Sequence, residues 1–173
     1  MADRIPRRHA RFSPRRSPSS STSSHNKSIL PGHPDLFYYG IHGTETLFAL
    51  MGSGFCSVSR AKGAAADLVS ATWSDGRVST FRGILQGQVG FGATVFGDKG
   101  IGSFHKFDGY DALLAEIAKF LKTGRAPISE ADTLEIHAFL EAADESQRQG
   151  GRAILLEDLL SQARTEAERR RKP

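Results

Sequence analysis

Two rhythms of apolar residues run through most of this chain, and neither reaches its first thirty positions. Residues 41–51 place Leu47, Phe48, Leu50 and Met51 on one side of a short helix. Gly52 and Gly54 end it, because glycine enters the left-handed conformation after a helix without a Cβ penalty. The rhythm then shortens to two. Leu68–Trp73 and Arg77–Leu85 flank Ser74-Asp75-Gly76, and Asp-Gly between alternating runs predicts a hairpin. A second hairpin is expected from Gly92–Phe96 and Ile101–Phe107 around Gly97-Asp98-Lys99-Gly100. Helical spacing returns at Tyr110, Leu113, Leu114, Ile117, Ala118 and Leu121, a pattern that predicts a core-facing helix closed by Gly124. Ser129 caps another helix, with Glu130 and Asp132 in its positive first turn and an apolar stripe through Ile136, Phe139, Leu140 and Ala143. Ala153–Leu156 can add a short strand before a charged helical tail. The order predicts an α+β domain, a mostly antiparallel open sheet with helices packed on one face.

Charge sharpens the boundaries. Residues 1–30 hold seven basic side chains and one acid, a net +6, and residues 164–173 carry +3. The body, residues 31–163, is mildly acidic at −5. We therefore expect a disordered, basic, Ser-rich tail over 1–30, one globular domain over 31–160 and a charged tail over 161–173. A transit peptide and a twin-arginine export signal are the other readings of the first segment, although no apolar stretch follows its arginines. An acidic body argues against nucleic acid as a partner. No run approaches the length of a membrane span. The lone Cys56, expected as a small core residue, fits a reducing, cytoplasmic setting and can build neither a disulfide nor a zinc site. No metal site is expected.

A dinucleotide site would settle the chemistry. Gly90-Phe91-Gly92 begins like G-x-G-x-x-G, but Val95 stands at the third glycine and a strand, not a helix, is expected to follow. Walker, H-E-x-x-H and G-x-S-x-G motifs are absent from the sequence.

Residues 35–47, Asp-Leu-Phe-Tyr-Tyr-Gly-Ile-His-Gly-Thr-Glu-Thr-Leu, carry more. They resemble the helix of the Gfo/Idh/MocA oxidoreductases that opens with Asp-x-Gly-x-His: Gly40 and His42 match, and Tyr38 stands where aspartate is usual. The Gly97–Ile101 turn is similar to that family's G-x-K-G hairpin, and Ala131–Ala143 with Ser146–Gly150 to its closing helix. The likeness covers residues 33–160.

This resemblance implies the C-terminal, substrate-side domain of an enzyme that oxidises a sugar, polyol or sugar-acid hydroxyl with NAD or NADP. It also implies a Rossmann domain elsewhere. That domain's Glu-Lys-Pro motif has no counterpart here, and no cofactor-binding residue is expected in this chain, which alone would be inactive. The expected proton relay is His42, since an imidazole can accept the proton of a hydroxyl being oxidised. Tyr38, Tyr39 and Arg82 are the expected substrate contacts: Tyr39 by stacking on a sugar ring, Arg82 by reaching a hydroxyl or carboxylate. The expected partners are a sugar-like molecule, the missing Rossmann unit and a second copy joined through the sheet. A non-enzymatic module that binds partners through the open sheet face is the alternative.

Overall fold

The computed structural model describes residues 20–26, 36–88, 90–105 and 108–171. The elements run β1 (Ser20–Asn26), α1 (Gly40–Met51), β2 (Phe55–Lys62), β3 (Ala66–Trp73), β4 (Val78–Ile84), β5 (Gly92–Gly97), β6 (Gly100–Phe104), α2 (Asp111–Thr123), α3 (Glu130–Arg148), β7 (Ile154–Leu155) and α4 (Leu156–Arg171). One sheet holds all seven strands in the order β6-β5-β1-β4-β3-β2-β7. Every pairing is antiparallel except β1 with β4. The α+β class expected from the pattern is the one observed.

The hairpins follow local chemistry. Asp75-Gly76 turns β3 into β4, and Gly76 takes φ 88°, open to glycine at no steric cost. The β2–β3 turn needs Gly63 for a different reason: a Cβ there would lie 2.8 Å from the Ala66 carbonyl oxygen that its own amide bonds. β2 itself was not expected from the pattern, because small and polar residues on its outer face mask the alternation; Val58 and Arg60 nevertheless point inward and are buried.

The core lies between the sheet and two helices. Leu47, Phe48 and Met51 of α1 and Ile136, Phe139, Leu140 and Ala143 of α3 meet Phe55, Val58, Val69, Ala71, Trp73 and Phe81 of the sheet. Phe48, Phe55 and Phe139 pack edge to face, with centroids 5.4 to 6.2 Å apart, each such pair adding about 0.5–1.5 kcal/mol beyond area burial. The same side of the sheet also buries a charge. The Arg60 guanidinium is held by Asp67, with Nε 3.1 Å from one carboxylate oxygen, and by Asp144 of α3. The Arg60 amide donates to Ser146 Oγ at 2.9 Å. Strands β2 and β3 are thereby clamped to α3.

The structure corrects four expectations. Ser20–Asn26, inside the segment expected to be a disordered tail, is strand β1, parallel to β4 from Ser20↔Val78 to Asn26↔Ile84 and antiparallel to β5. A strand's ladder is made by backbone groups, so Ser-rich composition does not forbid it where two edges wait on either side. The helix expected to face the core, α2, has no buried residue: Leu113, Leu114, Ile117 and Leu121 are 54%, 59%, 44% and 77% exposed. Its periodicity revealed amphipathicity but not what the apolar face meets. Cys56 is exposed, because the register shift between Phe55 and Ser57 turns it away from the core. Finally, the boundary expected at residue 160 falls inside α4, which runs to Arg171 and packs on α3.

Candidate functional site at the start of helix α1

The turn before α1 is anchored by Leu36, which is fully buried. Gly40 opens the helix against it, and a Cβ at Gly40 would sit 3.0 Å from the Leu36 side chain. Close approach, rather than an unusual dihedral, is what requires glycine here. One turn on, the buried Thr44 hydroxyl donates to the Gly40 carbonyl at 3.1 Å. At the other end, Trp73 Nε1 donates to the Gly52 carbonyl at 3.0 Å and the Arg77 guanidinium to that of Met51. A cation at a helix C-terminus is favourable both as donor and as charge. The helix is thus fixed at both ends, and its first turn is presented at a defined place.

That first turn gathers four side chains. The Tyr38 and Tyr39 rings meet edge to face at 5.0 Å, and Tyr39 meets the His42 imidazole at 5.7 Å and 80°. His42 Nδ1 lies 3.4 Å from Glu45 Oε2, with about half of each side chain open to solvent. When Nδ1 carries the proton it donates to the carboxylate, which leaves Nε2 as the acceptor. Two aromatic faces, one imidazole and one carboxylate therefore share a solvent-facing patch. Such a patch can stack against an apolar sugar face and exchange a proton with a hydroxyl.

Glu45 did not figure among the residues expected from the sequence. Its signal was available: His-x-x-Glu on a helix places the carboxylate one turn above the imidazole. Glu45 gives this turn a carboxylate although Tyr38 stands where the resemblance leads one to expect aspartate. Arg82, by contrast, is not brought to this patch. Phe81 points into the core beside Leu47 and Phe48 of α1, so Arg82, next along β4, projects from the opposite face of the sheet. Asp35 lies outside the described residues.

The loop that follows α1 is tied to α3. Ser53 Oγ donates to Asp132, while the amides of Gly54 and Phe55 both donate to Glu135, Phe55 at 3.0 Å. Hydrogen bonds from Ser53 and then Ser129 hold the Asp132 carboxyl below its ordinary range. Elsewhere, His137 bonds the Thr133 carbonyl at 2.8 Å and lines, with Phe37, a cavity of about 490 Å³ between α3 and α4. Among the described residues no group of three or more His, Cys, Asp or Glu could hold a metal ion. No described helix is long and apolar enough to cross a membrane.

No family model and no curated protein matches this chain. Solved structures do. GenD2 from gentamicin A biosynthesis, in complex with NAD, superposes with a TM-score of 0.65 at 16% identity over 79% of this chain and 54% of its own. A probable dehydrogenase from Thermotoga maritima matches with a TM-score of 0.65, 16% identity, and coverage of 80% and 57%. For myo-inositol dehydrogenase from Lactobacillus casei, in complex with NAD(H) and myo-inositol, the values are 0.61, 14%, 80% and 54%. The chain spans little more than half the length of the solved structures it matches. Built from helices α1 and α3 over one mixed sheet, it has the fold that oxidoreductases of the Gfo/Idh/MocA type carry over about half of their chains.

Proposed function

We propose that this chain forms the substrate side of an NAD(P)-dependent oxidoreductase acting on a sugar, polyol or sugar-acid hydroxyl, with His42 as the proton relay. The observation that carries the reading is the pairing of His42 with Glu45 at the first turn of a helix fixed at both ends. In this reading the substrate hydroxyl donates to His42 Nε2, and its proton passes to the imidazole as the carbonyl forms. Glu45 holds the ring through Nδ1 and stabilises the imidazolium so produced. Tyr39 offers an aromatic face to the sugar ring, and Tyr38 adds a phenol that donates or accepts.

The stretch that begins like a dinucleotide fingerprint does not fit one. Gly92 opens strand β5 rather than a helix, so no helix N-terminus follows to meet a pyrophosphate. In this reading the hydride acceptor, a nicotinamide, is held by a separate domain. The Lactobacillus casei myo-inositol dehydrogenase, similar in fold and crystallised with NAD(H) and myo-inositol, supports a nicotinamide and a polyol as the reacting pair.

The reading is tested by titrating the full chain with myo-inositol and simple aldoses while the His42 ring protons are followed by NMR. A saturable shift, weakened in Tyr39→Ala, is expected. Absence of any shift across the panel would remove the substrate assignment. With a nicotinamide-binding domain supplied, His42→Asn is expected to lower kcat about 10²- to 10⁴-fold, and an unchanged rate would remove the relay.

A further inference from the structure

The charges around the start of α1 share one sign. Glu45 lies one turn above His42, with about half of each side chain open to solvent. Among the described residues, the His42 imidazole is the one charge partner of that carboxylate, at 3.4 Å. While the ring is neutral, the patch carries a net negative charge.

Among the described residues, the elements packed against α1 bring no lysine or arginine to offset it. Strand β1 contains neither. Arg82 of β4 projects from the opposite face of the sheet. Arg77, just before β4, bonds Asp75 and the Met51 carbonyl at the far end of α1, about 13 Å along the helix from His42. Arg148 of α3 is held by Glu141 and Glu145.

The aromatic rings act in the same direction. Tyr38 and Tyr39 meet at 5.0 Å, and Tyr39 meets the His42 ring at 5.7 Å. An aromatic face carries partial negative charge, so it attracts an ammonium group and turns a carboxylate away. A substrate hydroxyl at His42 Nε2 sits across the imidazole from Glu45, inside the roughly 8 Å screening length of physiological salt. The charge on a substrate is therefore felt where it reacts.

We propose that Glu45 is a specificity-determining residue, which sets the site to take amino sugars most tightly, neutral sugars and polyols next, and sugar acids least. This rests on the oxidoreductase reading and narrows its substrate class.

The test is titration of the full chain near neutral pH with glucosamine, glucose and glucuronate, which share a ring and differ in charge, while the His42 ring protons are followed by NMR. Glucuronate is expected to bind about 2- to 10-fold more weakly than glucose, and glucosamine more tightly by a similar factor. Salt at about 1 M, where the screening length falls to about 3 Å, should compress the order. Glu45→Gln keeps the shape and removes the charge, so it should bring the three Kd values together. Glu45→Lys should invert their order. Because Glu45 is half exposed, neither variant disturbs the core. Equal Kd values in the wild-type chain, or a preference for glucuronate, overturn the proposal and leave the oxidoreductase reading standing. An order that survives Glu45→Lys does the same. No shift with any of the three sugars removes the substrate reading itself, and this inference with it.

Discussion

Glu45 is the residue on which the chemistry of the candidate site turns. If it orients the imidazole, Glu45→Gln should leave Tyr39 stacking and substrate affinity nearly intact while lowering kcat and shifting its pH profile; a change in KM alone would argue for a binding role. Arg60 is decisive for stability rather than chemistry. Its side chain is fully buried between two carboxylates, so Arg60→Met leaves Asp67 and Asp144 buried without their cation. The expected loss is about 3–5 kcal/mol, read from the urea midpoint, and an unchanged midpoint would show that the network contributes nothing net. Asp132 contributes to the acid limb, together with Asp75 and Glu145, whose carboxyls are also held below their ordinary range. The Asp132 pKa is lowered in the folded state, so its contribution is complete above the ordinary value of 3.8 and disappears as pH falls through the lowered one. Asp132→Asn is therefore expected to flatten the loss of stability below pH 3.8, checked by thermal melts across that range.

At the level of elements, α1 and α3 were legible because their apolar stripes, the Ser129 cap and the terminal glycines all agree. The Ser129 hydroxyl does accept from the Asp132 amide, at 3.1 Å. The β3–β4 hairpin was legible from Asp75-Gly76 for the same reason: its turn chemistry is local. Two elements were not. β2 hides its period behind Ser57, Ser59 and an inward Arg60, a residue whose burial only its distant partners Asp67 and Asp144 explain. For α2 the periodicity was read correctly and its environment was not, since a stripe looks the same whether it meets the core or a second chain.

On the scale of the whole molecule, β1 joins what would otherwise be two sheets, β4-β3-β2-β7 and β5-β6. Removing Ser20–Asn26 is expected to expose the facing edges of β4 and β5 and to raise amide hydrogen exchange along both, while β2 and β3 stay protected; unchanged exchange would mean that β1 adds no stability. The candidate site shows the same division between local and distant causes. Gly40, His42 and Glu45 occupy one turn of one helix, so sequence spacing alone brings them together. Arg82 was expected beside them, but which face of β4 it occupies depends on where Phe81 finds its core. By itself, then, the sequence determined the local elements, the α+β class and the His42 turn, because periods, caps and turn residues act within a few positions. Only the tertiary structure decided the place of β1, the burial of Arg60, the exposure of α2 and the separation of Arg82 from His42, because each rests on partners far along the chain that no local pattern encodes.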